Sequence, residues 1–144
     1  MKMPTLLPTE MEEIINNQLK SADSPEECLK RVYNILSLKY YGNRWKIVSR
    51  FWELFNLNPQ RLWAKSGFLY CTSINYLMKI LLTRSGWFKK GDIATKWSLT
   101  WNFFPHQYLR ARVDSNKYIN ADVWAKIFGI EFGDHAHGFH QSTK

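Results

Sequence analysis

Cysteine is scarce: Cys28 and Cys71 are the only two in 144 residues. Two thiols exclude a disulfide framework and a four-cysteine zinc site. Long apolar runs are missing, and no stretch approaches the ~20 residues that a membrane span requires. The opening Met1-Lys2-Met3-Pro4-Thr5-Leu6-Leu7-Pro8 sets prolines where a signal peptide needs an unbroken apolar segment. Acidic residues are few, with 12 Asp and Glu against 20 Lys and Arg, a net charge of +8. That balance favours anionic partners without specifying a fold. Repeats and low-complexity tracts are lacking too. The expectation is one soluble, cytoplasmic domain with no membrane association, since domains typically run to ~100–150 residues. Apolar residues, by contrast, make up 45% of the chain, enough for a core, and aromatics 16%, with 7 Trp.

The patterning is helical first and strand-like later. Thr9 and Glu12 have capping-box spacing, and Met11, Ile14, Ile15 and Leu19 then share a helical face. Ser24 and Glu27 form a second box, with Pro25 at the first helical position, followed by Leu29, Val32, Tyr33 and Leu36. Gly42 is the expected stop. Trp45, Val48, Trp52 and Phe55 repeat by three and four and predict a third helix. Asn58-Pro59 ends it and opens a short turn through Trp63. Ile74, Leu77, Met78 and Leu81 make the strongest stripe, so a helix begins near Tyr70 or Cys71 and closes at Ser85-Gly86. The helical part thus covers about 9–86. Lys89 to Asp92 reads as a solvated loop.

From about residue 96 to 125 the period is two. Trp97 to Phe103 and His106 to Val113 alternate, Asp114-Ser115-Asn116 turns, and Tyr118 to Val123 returns. A three-residue loop makes opposed positions sum to about 230, the antiparallel pairing that keeps Leu109, Ala111, Ile119 and Ala121 on one apolar side. It sets Asp122 opposite Tyr108 and diagonal to His106. A two-residue loop would place Leu109 against Asp122 and mix the faces. The expected fold is α+β, N-terminal helices packed on an antiparallel sheet, with a C-terminal tail over about 126–144.

One constellation carries chemistry. A helix start stabilises an anion, and the thiolate is the nucleophilic form of cysteine, so Cys71 stands where an attacking thiol is useful. His106 is placed to exchange its proton, and Asp122 to hold the imidazole tautomer. Leu69-Tyr70-Cys71-Thr72-Ser73-Ile74-Asn75-Tyr76-Leu77, Pro105-His106-Gln107-Tyr108-Leu109-Arg110-Ala111-Arg112-Val113 and Tyr118-Ile119-Asn120-Ala121-Asp122-Val123-Trp124 together resemble the transglutaminase-like branch of the papain-like cysteine protease superfamily. The resemblance spans roughly residues 60–125. It implies a papain-like core and a Cys71–His106–Asp122 triad. It also implies acyl transfer through a thioester, either hydrolysis of a peptide or amide or transfer to an amine, with a protein or peptide substrate and no cofactor. The backbone N–H of Cys71 is the natural oxyanion donor, with Trp45, Gln60 and Trp63 as candidates for the second.

Plainer readings compete. Cys28 sits mid-helix and reads as a small core residue. His135, His137 and His140 are numerous enough for a zinc site, but no regular element preorganises them. A loop closing over the cleft, or a tail, is preferred, and no metal is assigned. The tryptophans fall mostly on apolar stripes and read as core. Arg110 and Arg112 near Tyr108 and Tyr118 suggest stacking on nucleic acid, though no nucleic-acid motif accompanies them. The alternative function is a catalytically silent version of the same fold that binds protein or nucleic acid.

Overall fold

In the computed structural model, which describes residues 3–101 and 103–139, apart from the side chains of Phe51 and Phe55, helices come first and an antiparallel sheet follows. The fold is a mixed α+β arrangement. Helix α1 (Thr9–Ile14) runs on into a π-helical turn, Ile15–Leu19, and buries Met11, Ile15 and Leu19. Its N-cap is Pro8 and no side chain caps it, so the expected Thr9 box does not form: Thr9 is already inside the helix. At α2 (Pro25–Lys39) Ser24 Oγ does accept from Glu27 N at 3.1 Å. The Glu27 carboxylate reaches back to the N–H of Asp23 rather than that of Ser24.

The predicted third helix is shorter than expected. It is split into α3 (Arg44–Ser49) and a 3-10 turn, Phe51–Phe55. Trp45, Val48 and Trp52 of its apolar stripe do not enter the core, with Trp45 88% exposed and Trp52 61%, while the Phe55 side chain lies outside the described residues. Helix α4 (Pro59–Trp63) starts from an Asn58 cap. Unforeseen from the sequence is a two-residue parallel pairing of β1 (Tyr40–Tyr41) with β2 (Gly67–Phe68), which ties the end of α2 to the approach to α5.

Helix α5 (Cys71–Arg84) is central. Ile74, Leu77, Met78 and Leu81 are fully buried, together with Leu29, Val32 and Leu36 of α2 and Leu109 and Ala111 of the sheet. The sheet order is β3 (Ile93–Thr100), β4 (Phe104–Arg112), β5 (Tyr118–Ala121). The β4–β5 register pairs Leu109 with Ala121 and Ala111 with Ile119, as the alternation requires. Asp122 follows directly after β5 rather than within it.

Beyond a 3-10 turn at Lys126–Phe128, residues 130–138 cross the sheet as a strap. Gly133 bridges Asn120 of β5, and Gly138 bridges Thr100 at the end of β3. Ser98 Oγ donates to Ala136 O at 2.6 Å. Ile130 and Ala136 of the strap are buried. Among the described residues no helix is long and apolar enough to cross a membrane.

Candidate active site

Cys71 is the first residue of α5 and only partly buried. Tyr70 precedes it as an extended N-cap, and no side chain caps the first turn. The positive end of the helix dipole therefore lies beside the cavity that Cys71 lines. That cavity holds about 550 Å³, and its wall includes His106, Tyr70, Trp97, Phe104 and Trp124.

His106 lies near the start of β4 and is 3% exposed. Its Nε2 donates to Asp122 Oδ2 at 2.7 Å. Trp124 packs beside the ring, with centroids 5.1 Å apart. Burial disfavours the imidazolium. The hydrogen bond to Asp122, that to the Cys71 thiol, and both groups' charges outweigh it, raising the His106 pKa to about 10. Cys71 and His106 line the same cavity, and Asp122 is bonded to the imidazole through Nε2.

Asp122 is itself fixed on three sides. Oδ1 accepts from Ala125 N at 3.2 Å, while Oδ2 takes Ala136 N at 2.9 Å in addition to the imidazole. At 1% exposure, the carboxylate is kept from water and surrounded by donors. The Ala136 donor comes from the strap, within the stretch that the sequence reads as a tail. The strap also packs His135 on Tyr108, with rings stacked at 4.0 Å. Asn120 Nδ2 donates to His135 Nδ1 at 3.3 Å, and His137 Nδ1 donates to His135 O at 3.1 Å. Burial, then the neighbouring His137, push the His135 pKa down. His140 lies outside the described residues, and among the described ones no cluster able to hold a metal occurs.

The three residues expected as second oxyanion donors are elsewhere. Trp63 is buried, and its Nε1 donates to Glu10 Oε2 at 2.7 Å, so its N–H is already spent. Gln60 is exposed on α4, and Trp45 borders a neighbouring cavity. The indoles that line the Cys71 cavity belong to Trp97 and Trp124. Cys28 is fully buried, and burial pushes its thiol pKa up. Arg112 is committed to Asp92, and Arg110 lies over the Tyr118 ring at 5.0 Å.

The raised His106 pKa has a signed consequence for stability. A group whose folded value exceeds its unfolded value of about 6.5 stabilises fully below that value and loses the contribution as pH rises towards 10. Denaturant melts from pH 6 to 10 are expected to show the wild type declining relative to a His106→Gln/Asp122→Asn double variant, which cannot titrate there. The slope of that difference is at most about 1.4 kcal/mol per pH unit. Parallel profiles would remove the coupling.

Comparison with known proteins finds no matching family model, no matching curated protein and no matching solved structure, so the reading of this site rests on its own geometry.

Proposed function

We propose that the chain is a thiol-dependent acyl-transfer enzyme of papain-like, transglutaminase-like type, with Cys71 as nucleophile, His106 as acid and base, and Asp122 as the orienting carboxylate. One observation carries the reading: a buried imidazole hydrogen-bonded through Nε2 to a carboxylate, with a partly exposed helix-start thiol lining the same cavity.

The chemistry runs in two halves. Cys71 Sγ, as thiolate, bonds to the carbonyl carbon of an amide or ester. His106 gives its proton to the departing amine or alcohol as that bond breaks, leaving a thioester on Cys71. Water or an incoming amine then attacks the thioester carbon. His106 takes the nucleophile's proton, and the sulfur leaves as thiolate. Asp122 keeps the imidazole oriented and offsets its positive charge throughout. The Cys71 backbone N–H is the first oxyanion donor, and the Trp97 or Trp124 indole takes the place of Trp45 and Trp63 as candidate for the second.

Thiol labelling tests the reading. Iodoacetamide is expected to modify Cys71 near neutral pH at least tenfold faster than Cys28, which is sealed in the core with a raised pKa. His106→Gln should slow the Cys71 reaction. Equal, slow labelling of both thiols in the folded protein would leave Cys71 a packing residue. The silent binding module predicts that result, together with salt-dependent affinity for an anionic polymer.

A further inference from the structure

A second cavity of about 360 Å³ adjoins the first. The two share Ile47, Thr100, Phe104 and Trp124, so they form one groove running past Trp124. Its walls are almost wholly apolar. The exception at the far end is Arg44, among the described residues the one with a permanently charged side chain lining either cavity.

The setting of Arg44 is specific. Its guanidinium lies 4.2 Å from the Trp101 ring centre and 4.5 Å from that of Phe128. Stacking on aromatic faces fixes the plane of a guanidinium while leaving its N–H donors available. Among the described residues no carboxylate pairs with Arg44. Trp101 adopts a φ of 52°, in the left-handed region rarely used by a residue with a bulky side chain. Its backbone N–H donates to Gly138 O of the strap. The strap thus holds an unfavourable backbone turn at the residue whose ring supports Arg44. Strain of this kind persists where the surroundings over-determine it, characteristically at ligand clamps.

We propose that Arg44 is the anionic anchor of a substrate groove, binding the carboxylate of an otherwise apolar acyl substrate whose body lies along Trp124 and Phe104. This rests on the acyl-transfer reading for the position of the reacting carbon at Cys71, but the binding itself does not require turnover. A carboxylate matches the planar fork of a guanidinium in two parallel hydrogen bonds, and the apolar walls strengthen that contact by excluding water. Substrates with a free carboxylate beyond an aromatic or aliphatic segment are therefore selected over their neutral amides.

The test uses the full chain carrying Cys71→Ala, so that binding is read without chemistry. Tryptophan fluorescence is titrated with 4-phenylbutyrate and with 4-phenylbutanamide, which share the apolar body and differ in charge. The acid is expected to bind about tenfold tighter, the scale of a charge-assisted contact. Arg44→Gln should erase that preference while leaving amide binding in place, and Arg44→Lys should keep part of it. A thermal melt of each variant establishes that it is folded. Equal binding of acid and amide overturns the proposal, as does a preference that survives Arg44→Gln. Failure of both compounds to bind also overturns it, and concentration-dependent dimerisation in that case would assign the apolar wall to a second copy of the chain. Absence of acyl transfer in the wild-type chain, with the acid preference intact in Cys71→Ala, would instead count against the catalytic reading alone.

Discussion

Asp122→Asn is expected to slow acyl transfer by about 10⁴-fold, the scale set by the equivalent change in serine triads. The substitution keeps the volume but removes the charge that offsets the imidazolium. Its amide also meets a hydrogen-bond conflict. In the wild type one oxygen accepts from Ala125 N and the other from both His106 and Ala136 N. An asparagine must turn its NH₂ towards one of these sets, where donor faces donor. If the NH₂ faces His106, the imidazole is driven into the wrong tautomer. If it faces Ala125, a buried N–H loses its acceptor. The cost in stability is about 1–3 kcal/mol, no more than a core truncation such as Leu77→Ala, for which about 2–5 kcal/mol is usual at a fully buried site. A turnover assay on an amide and amine screen, paired with a denaturant melt, separates the two effects. Full activity in Asp122→Asn would remove Asp122 from the mechanism, and a variant that unfolds would make it a structural anchor.

The second large effect is expected at a residue that touches no substrate. Gly42 N donates to Trp124 O at 3.0 Å, and the two backbones approach closely. A Cβ on Gly42 would lie within 2.5 Å of Trp124 Cε2 and of the Trp124 carbonyl oxygen, and would overlap Cδ2 as well. Flexible side chains can move aside from such a contact, but a carbonyl oxygen held in a hydrogen bond cannot do so cheaply. Gly42→Ala should therefore cost about 3 kcal/mol, at the upper end for overpacking, or ~10 °C in melting temperature. Because Trp124 packs on His106, the variant should also weaken Cys71 reactivity in whatever fraction remains folded. Gly91→Ala is the control: nothing lies within 4 Å of a Cβ there, so the shift should stay within ~0.5 kcal/mol. Equal melting of the two variants would show that Trp124 is free to move.

The elements that bring Cys71, His106 and Asp122 together were legible because each is set by a local, repeating signal. Helix α5 announces itself through Ile74, Leu77, Met78 and Leu81. The β4–β5 register follows from alternation plus a three-residue loop, since a one-residue slip would turn Leu109 and Ala111 to solvent. Where periodicity is ambiguous, the reading failed. Trp45, Val48 and Trp52 have the spacing of a buried helix face, but spacing gives no sign of whether that face meets a core or borders an open groove. The Thr9 box failed because Pro8 occupies the cap. The β1–β2 pair is too short to leave a pattern. The third support of Asp122 was invisible for a different reason: Ala136 contributes a backbone N–H, which every residue but proline possesses. Gly133 and Gly138, both at positive φ, were the available sign that 130–138 turns back across the sheet rather than trailing away.

That strap gives the site an order of assembly. Translation makes the thiol first, the imidazole next and the carboxylate after it, and Ala136 follows all three. Any nascent chain that stops short of Ala136 lacks the donor that, with Ala125, locks the Asp122 carboxylate, and lacks Gly138, which holds Trp101 beneath Arg44. Maturation of the site therefore waits on the strap, however early the helices form. A reactive cysteine exposed on an unfinished polypeptide would be open to oxidation and stray acylation. Here the carboxylate is set in place by a segment that follows it in the chain.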